Sequence, residues 1–206
     1  MILTKNMNFR RFQFIFITLF FVSSFTNLTS GKELPICLSA KEMKLFNEIN
    51  KYRKENGLRE IKLSFALSKV AQTHAYDLSY NRPFSTRCNM HSWSDKGKWS
   101  SCCYTEDHKK ANCMWDKPHE LTNYRGLGFE ITHGFSQFNN FSGDTVTVET
   151  ALDGWKKSKG HNDVILNKEI WAKMKWNAIG IGINRDFACI WFGTELDNEG
   201  VPIICN

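Results

Sequence analysis

Downstream of residue 22 the chain has no apolar run long enough to span a bilayer, which needs roughly 20 residues. That argues against a membrane-spanning helix in the folded part. No Cys-x-x-Cys pair occurs, which argues against a zinc ribbon. There is no His-Glu-x-x-His motif and no Gly-x-Ser-x-Gly elbow, so two common hydrolase signatures are missing. Nor is there a block of like charge. The basic residues are scattered, which speaks against a nucleic-acid partner.

What is present begins with an address. Lys5, Arg10 and Arg11 precede the greasy stretch Phe12 to Val22, and small residues follow at Ser23, Ser24, Thr29 and Ser30. That order predicts a secretory signal peptide over residues 1–30, cut between about 24 and 31. After cleavage no transmembrane helix is expected, and the protein is read as secreted and extracellular. The remainder, 206 less 30 or 176 residues, suits one domain able to bury a core. Without the three basic residues of the leader, the formal charge of +6 falls to +3.

All seven cysteines, Cys37, Cys88, Cys102, Cys103, Cys113, Cys189 and Cys205, lie beyond the leader. In a secreted chain they are disulfide candidates. Cys102 and Cys103 are adjacent and are expected to bond to different partners. Seven is odd, so one thiol stays free or pairs with another chain. Two glycosylation sequons occur, at Asn27 and Asn140.

The periodicity predicts helices first and a hairpin last. Ser39 to Glu42 forms a capping box ahead of Leu45, Phe46, Ile49 and Tyr52 at helical spacing, with Asn56-Gly57 as the stop. A second helix follows Ser64, with His74 on its apolar face, and ends before Asn81-Arg-Pro83. A histidine there is read as a satisfied core residue. Residues 88–124 hold four cysteines and three tryptophans without a period, and are read as a disulfide-stapled irregular insertion. His108 and His119 within it are taken as surface charge. A third helix is expected over 145–157, its end extended to a stop at Gly160 that presents His161, with Trp155 packed beneath. Ala178–Asn184 and Ala188–Phe192 read as an antiparallel hairpin. The fold class is α+β.

In this order the segments resemble the CAP superfamily: cysteine-rich secretory proteins, antigen 5 and pathogenesis-related 1 proteins. The resemblance rests on LFNEINKYRKENGL, LSFALSKVAQTHAYDL, His91-Ser92, GWKKSKGHNDVIL and WNAIGIGINRDFACIWFG. The fourth segment is similar to the Trp-x-x-Ser-x-Gly-His-x-x-x-Ile-Leu block of the bacterial-like branch. The resemblance implies a three-layer α-β-α sandwich with a central antiparallel sheet over one domain, 31–206. It also implies a cleft of two histidines and two acids. Carried over, these are His91, His161, Glu130 in GLGFEIT, and Ser158 where the second acid would stand. Phe129 and Ile131 replace the glycine and asparagine that flank the family's glutamate.

His91 and His161 are then the residues to hold a zinc ion, weakly with two imidazoles alone. The implied function is an extracellular binding or signalling module for a protein or lipid, sterols and fatty acids included. Phe135, Phe138 and Phe141 have the composition for a lipid loop, although three phenylalanines at that spacing more often belong to a core. The alternative is a secreted hydrolase or protease using the His91/His161 cleft, with Ser158 near the histidine.

Overall fold

The computed structural model describes residues 36–134 and 145–205. The leader, both sequons and the three-phenylalanine loop lie outside them. Strand β1 is Cys37–Leu38. Helix α1, Ala40–Glu55, begins as the sequence predicts. The Ser39 side chain accepts from the Glu42 N–H while Glu42 accepts from Ser39, which satisfies two of the helix's orphan donors. Gly57, in a left-handed conformation (φ 76°), follows its end. Strand β2, Lys62–Leu63, leads into helix α2, Phe65–Tyr80, which Ser64 caps.

The insertion carries two short helices, α3 (Asn112–Trp115) and α4 (Lys117–Leu121). Strand β3, Gly128–Gly134, was not evident from periodicity. Helix α5, Val148–Lys157, follows the Thr147 cap and begins three residues later than the pattern suggests. Helix α6, Lys159–Ile165, follows almost at once. The hairpin appears as β4 (Ala178–Asn184) and β5 (Phe187–Gly193), and β6 (Ile203–Ile204) pairs in parallel with β1.

The main sheet runs β2-β4-β5-β3. Its three long strands are antiparallel, and β2 adds a two-residue parallel edge. Alternation along the strands sorts side chains into two cores. Ile131, Ile179, Ile181, Ile190 and Phe192 face α1, α5 and α6. Cys189, Trp191 and Phe187 face α2 and the insertion. Helices on both faces of one sheet make the α-β-α sandwich. Every residue of β5 is buried, as a strand covered on both faces should be.

Close approach of α2 to the sheet depends on glycine. A Cβ at Gly182 would sit 2.2 Å from the Ala71 carbonyl carbon, and one at Gly180 2.0 Å from that of Leu67. Three disulfides close the fold: Cys37–Cys205, Cys88–Cys103 and Cys102–Cys113. The adjacent cysteines do bond to different partners. Cys189 is the free thiol, buried in β5. Among the described residues no helix is long and apolar enough to cross a membrane.

Candidate functional site

Glu130 is the hinge of the site. It lies mid-strand in β3 at the sheet's edge, opposite Trp191, and points to the α2 side. Its side chain is fully enclosed. A buried carboxylate is expensive unless it is paired, and here two histidines pair it. His74 Nδ1 lies 2.5 Å from Oε1, and His91 Nδ1 lies 2.8 Å from Oε2. Those partners overcome burial and hold the Glu130 carboxyl at about 2.

His74 sits just past the middle of α2, with no exposure. Its Nε2 lies 2.9 Å from the Ser92 carbonyl. Both ring nitrogens thus face acceptors, and only the imidazolium can donate to both. Burial works against that charge, but Glu130 and the Ser92 carbonyl outweigh it and raise the His74 pKa. Trp93 stacks flat on the ring, 4.3 Å between centroids at 7°, a further favourable contact for a cation. His74 is therefore the satisfied core residue the sequence suggests, and it is also the glutamate's main partner.

The loop that bears His91 is fixed from α2 at two points. His74 holds the Ser92 carbonyl, and Asp77 accepts from the Ser94 N–H at 2.8 Å. His91 itself donates its Nδ1–H to Glu130, so Nε2 is the nitrogen left for anything else. Its ring stands 6.3 Å from that of His161, at 64°.

His161 reaches this point by a different route from the one expected. No helix stops at Gly160. The break falls at Ser158, whose extended backbone (φ −86°, ψ 112°) ends α5 and starts α6. Gly160 and His161 lie inside the first turn of α6. Gly160 has no left-handed φ, and a Cβ there would meet nothing. The aromatic ring that meets Trp155 edge-on is that of His133, at 6.2 Å. His161 makes no hydrogen bond with any described residue. Burial, with His91 and His133 close by, lowers its pKa to about 4, so it is neutral at pH 7. Ser158 lines the same cavity, but its side chain caps nothing.

The four carried-over residues thus come together. All four line a cavity of about 410 Å³. Its walls are apolar, built from Met114 and Trp115 of the insertion, Phe129 of β3, Val164 of α6 and Trp171. His108 also lines it, hydrogen-bonded to the Tyr104 hydroxyl at 3.0 Å. It is exposed, as expected, but its place at the cavity was not legible, because two disulfides fold the insertion back over the site. His119 is exposed and stands apart from the cavity. A second group of ligand-type side chains, His74, Glu130 and Cys189, lies together deeper in the core. Burial raises the Cys189 thiol well above its usual range.

A model of the cysteine-rich secretory protein family, CAP, matches residues 46–186. The chain belongs to this family. No curated protein matches it. Among solved structures it is similar to an extracellular SCP-domain protein from Bacillus anthracis, at 18% identity and a TM-score of 0.51. That match covers 75% of this chain and 40% of the other, so this CAP chain spans well under half the Bacillus protein. An outer surface protein from Borrelia burgdorferi matches at 20% identity and TM-score 0.47, over 76% of this chain and 94% of its own. A cysteine-rich secretory protein from Staphylococcus aureus matches at 19% and 0.46, over 75% and 38%. At these identities the likeness concerns the CAP fold alone.

Proposed function

We propose that this CAP protein is secreted and works outside the cell as a binding module, its His91–Glu130–His161 cleft taking a small ligand or a divalent ion. The observation that carries this is the position of Glu130. It is committed to two histidines where it lines an apolar cavity. It orients imidazoles and is not free to act as a general base. Ser158 makes no hydrogen bond to a histidine among the described residues, so the hydrolase reading lacks its activated nucleophile.

The leader sequence, three disulfides and the family's secretory character support an extracellular site of action. The residues also fit a zinc ion. Glu130 fixes the His91 tautomer, the role carboxylates take behind metal-bound histidines. His161 is neutral and unpartnered, so both rings offer a lone pair. With Glu130 engaged elsewhere, two imidazoles give weak, exchangeable binding. The lipid or protein partner outside the cell would meet the apolar cavity, not the phenylalanine loop alone.

Calorimetric titration of zinc into the secreted, metal-stripped protein tests this, beside His161→Ala. We expect saturation near one ion per chain, lost in the variant. No zinc binding together with no small-ligand binding would overturn the proposal.

A further inference from the structure

Behind the cleft, on the α2 side of β3, three donor side chains of different chemistry converge. His74 Nδ1 lies 2.5 Å from Glu130 Oε1 and 3.9 Å from Cys189 Sγ. One ligand atom from each residue falls within 4.8 Å of the other two. The residues come from α2, β3 and β5, so the packing of a helix on the sheet assembles them and no loop takes part.

The spacing is close to that around a tetrahedral metal. With zinc bonds of about 2.3 Å to sulfur and about 2.0 Å to nitrogen, sulfur and nitrogen ligands stand about 3.5 Å apart. Cys189 and His74 are at 3.9 Å. Nitrogen and oxygen ligands need about 3.3 Å, so the Glu130 carboxylate has to withdraw by about 0.8 Å from its present 2.5 Å.

The supports that such ligands need surround them. The Ser92 carbonyl, 2.9 Å from His74 Nε2, holds a proton on that nitrogen and leaves the Nδ1 lone pair for a metal. Glu130 keeps its other oxygen on His91 Nδ1 at 2.8 Å. The Thr132 hydroxyl lies 3.4 Å from Sγ, where it can donate to a thiolate.

Charge balance permits the exchange. Without metal, the group is a carboxylate, an imidazolium and a thiol, with no net charge. A divalent ion that displaces one proton from His74 and one from Cys189 leaves carboxylate, imidazole and thiolate around it, again with no net charge. The core stays neutral in both states, which avoids the cost of an uncompensated buried charge. Thiolate and imidazole select zinc or cobalt(II) over calcium and magnesium, which take oxygen ligands.

We propose that His74, Glu130 and Cys189 form a buried zinc site, separate from the His91/His161 cleft. All three side chains are closed to solvent, so the ion enters as the chain folds and leaves only when the core opens. Titration of the native protein therefore reads the cleft, and refolding reads the buried site.

Cobalt(II) is the probe. The full secreted chain is unfolded in urea with its disulfides intact and refolded at pH 7 with cobalt. Loose metal is removed by gel filtration, and recovery of the fold is checked by near-ultraviolet circular dichroism. We expect a thiolate-to-cobalt charge-transfer band, retained in His161→Ala and lost in Cys189→Ala or, should that variant misfold, in Cys189→Ser. The other six cysteines are in disulfides, so the band in the unaltered chain already assigns Cys189 as the ligand. Refolded native protein without the band overturns the site. So does a band that survives the loss of Cys189 or disappears with His161. None of these results touches the cleft reading, which stands or falls on binding to the native protein.

Discussion

Replacing Glu130 with alanine should cost far more than removing a surface carboxylate, and the structure gives the size. The group is held at about 2 against a usual 4.5. Each pKa unit is worth about 1.4 kcal/mol, so the interactions contribute about 3 kcal/mol where the unfolded chain is ionised. The His74 shift reports the same pair and is not added. The signs define the window. Glu130 is lowered, so its contribution is present above about 4.5 and fades as pH falls toward 2. His74 is raised, so its contribution is present below 6.5 and fades as pH rises through its folded value. Near pH 5.5 both hold. Urea unfolding at that pH should show Glu130→Ala destabilised by about 3–5 kcal/mol, because His74 is left as an unpaired buried charge. The double variant His74→Phe/Glu130→Leu should recover about 2 kcal/mol of that loss, although the Ser92 carbonyl loses its donor. Between pH 5.5 and 2.5 the Glu130 contribution to wild type should fade by most of 3 kcal/mol, while Glu130→Ala suffers an acid-dependent loss of its own from the unpaired buried His74. A single variant that costs under about 1 kcal/mol at pH 5.5 would refute the buried-pair account.

Other perturbations follow from the same contacts. Gly182→Ala would drive a methyl against the α2 backbone, and overpacking of this kind costs about 1–3 kcal/mol or more, readable as a lowered melting temperature. Replacing Cys37 and Cys205 with serine opens a link between residues 168 apart, worth up to about 5 kcal/mol in a chain-entropy account, measured by urea unfolding. Cys189 should resist a thiol reagent in the folded protein and react as one thiol per chain in denaturant, since it is fully buried and its thiol is held protonated.

The parts of the fold that local chemistry dictates were legible. Ser39 and Glu42 cap α1 as their spacing requires, and the alternation around Gly180 and Gly182 places Ile179 and Ile181 in one core. Strand β3 was hidden because its identity comes from pairing with β5 and not from its own pattern. His161 does line the cavity beside His91, but it arrives there by a route other than the one its glycine suggested. A glycine before a histidine suggests a left-handed helix stop. The competing signal was Ser158, a residue type that favours helix starts, and it marks the true break. His74 could be placed in the core from its helical face. That it clamps Glu130, 56 residues away, depends on packing between α2 and the edge of the sheet, which no local pattern encodes.

Glu130 binds stability and site geometry into one residue, which decides how the cleft can be probed. Any change at Glu130 or His74 unbalances a buried charge, and any change at His91 frees an oxygen of that carboxylate. Loss of binding in such variants would not separate a damaged site from a damaged fold. His161 is different. It comes from α6 and makes no hydrogen bond to a described residue. Its first-turn neighbour Gly160 is exposed, so α6 can change there without repacking. His161→Ala should therefore leave unfolding within about 1 kcal/mol of wild type, the range of ordinary substitutions away from core features. If it also abolishes zinc binding, the loss belongs to the ligand contact itself. A variant as unstable as Glu130→Ala would mean that His161 is part of the clamp after all.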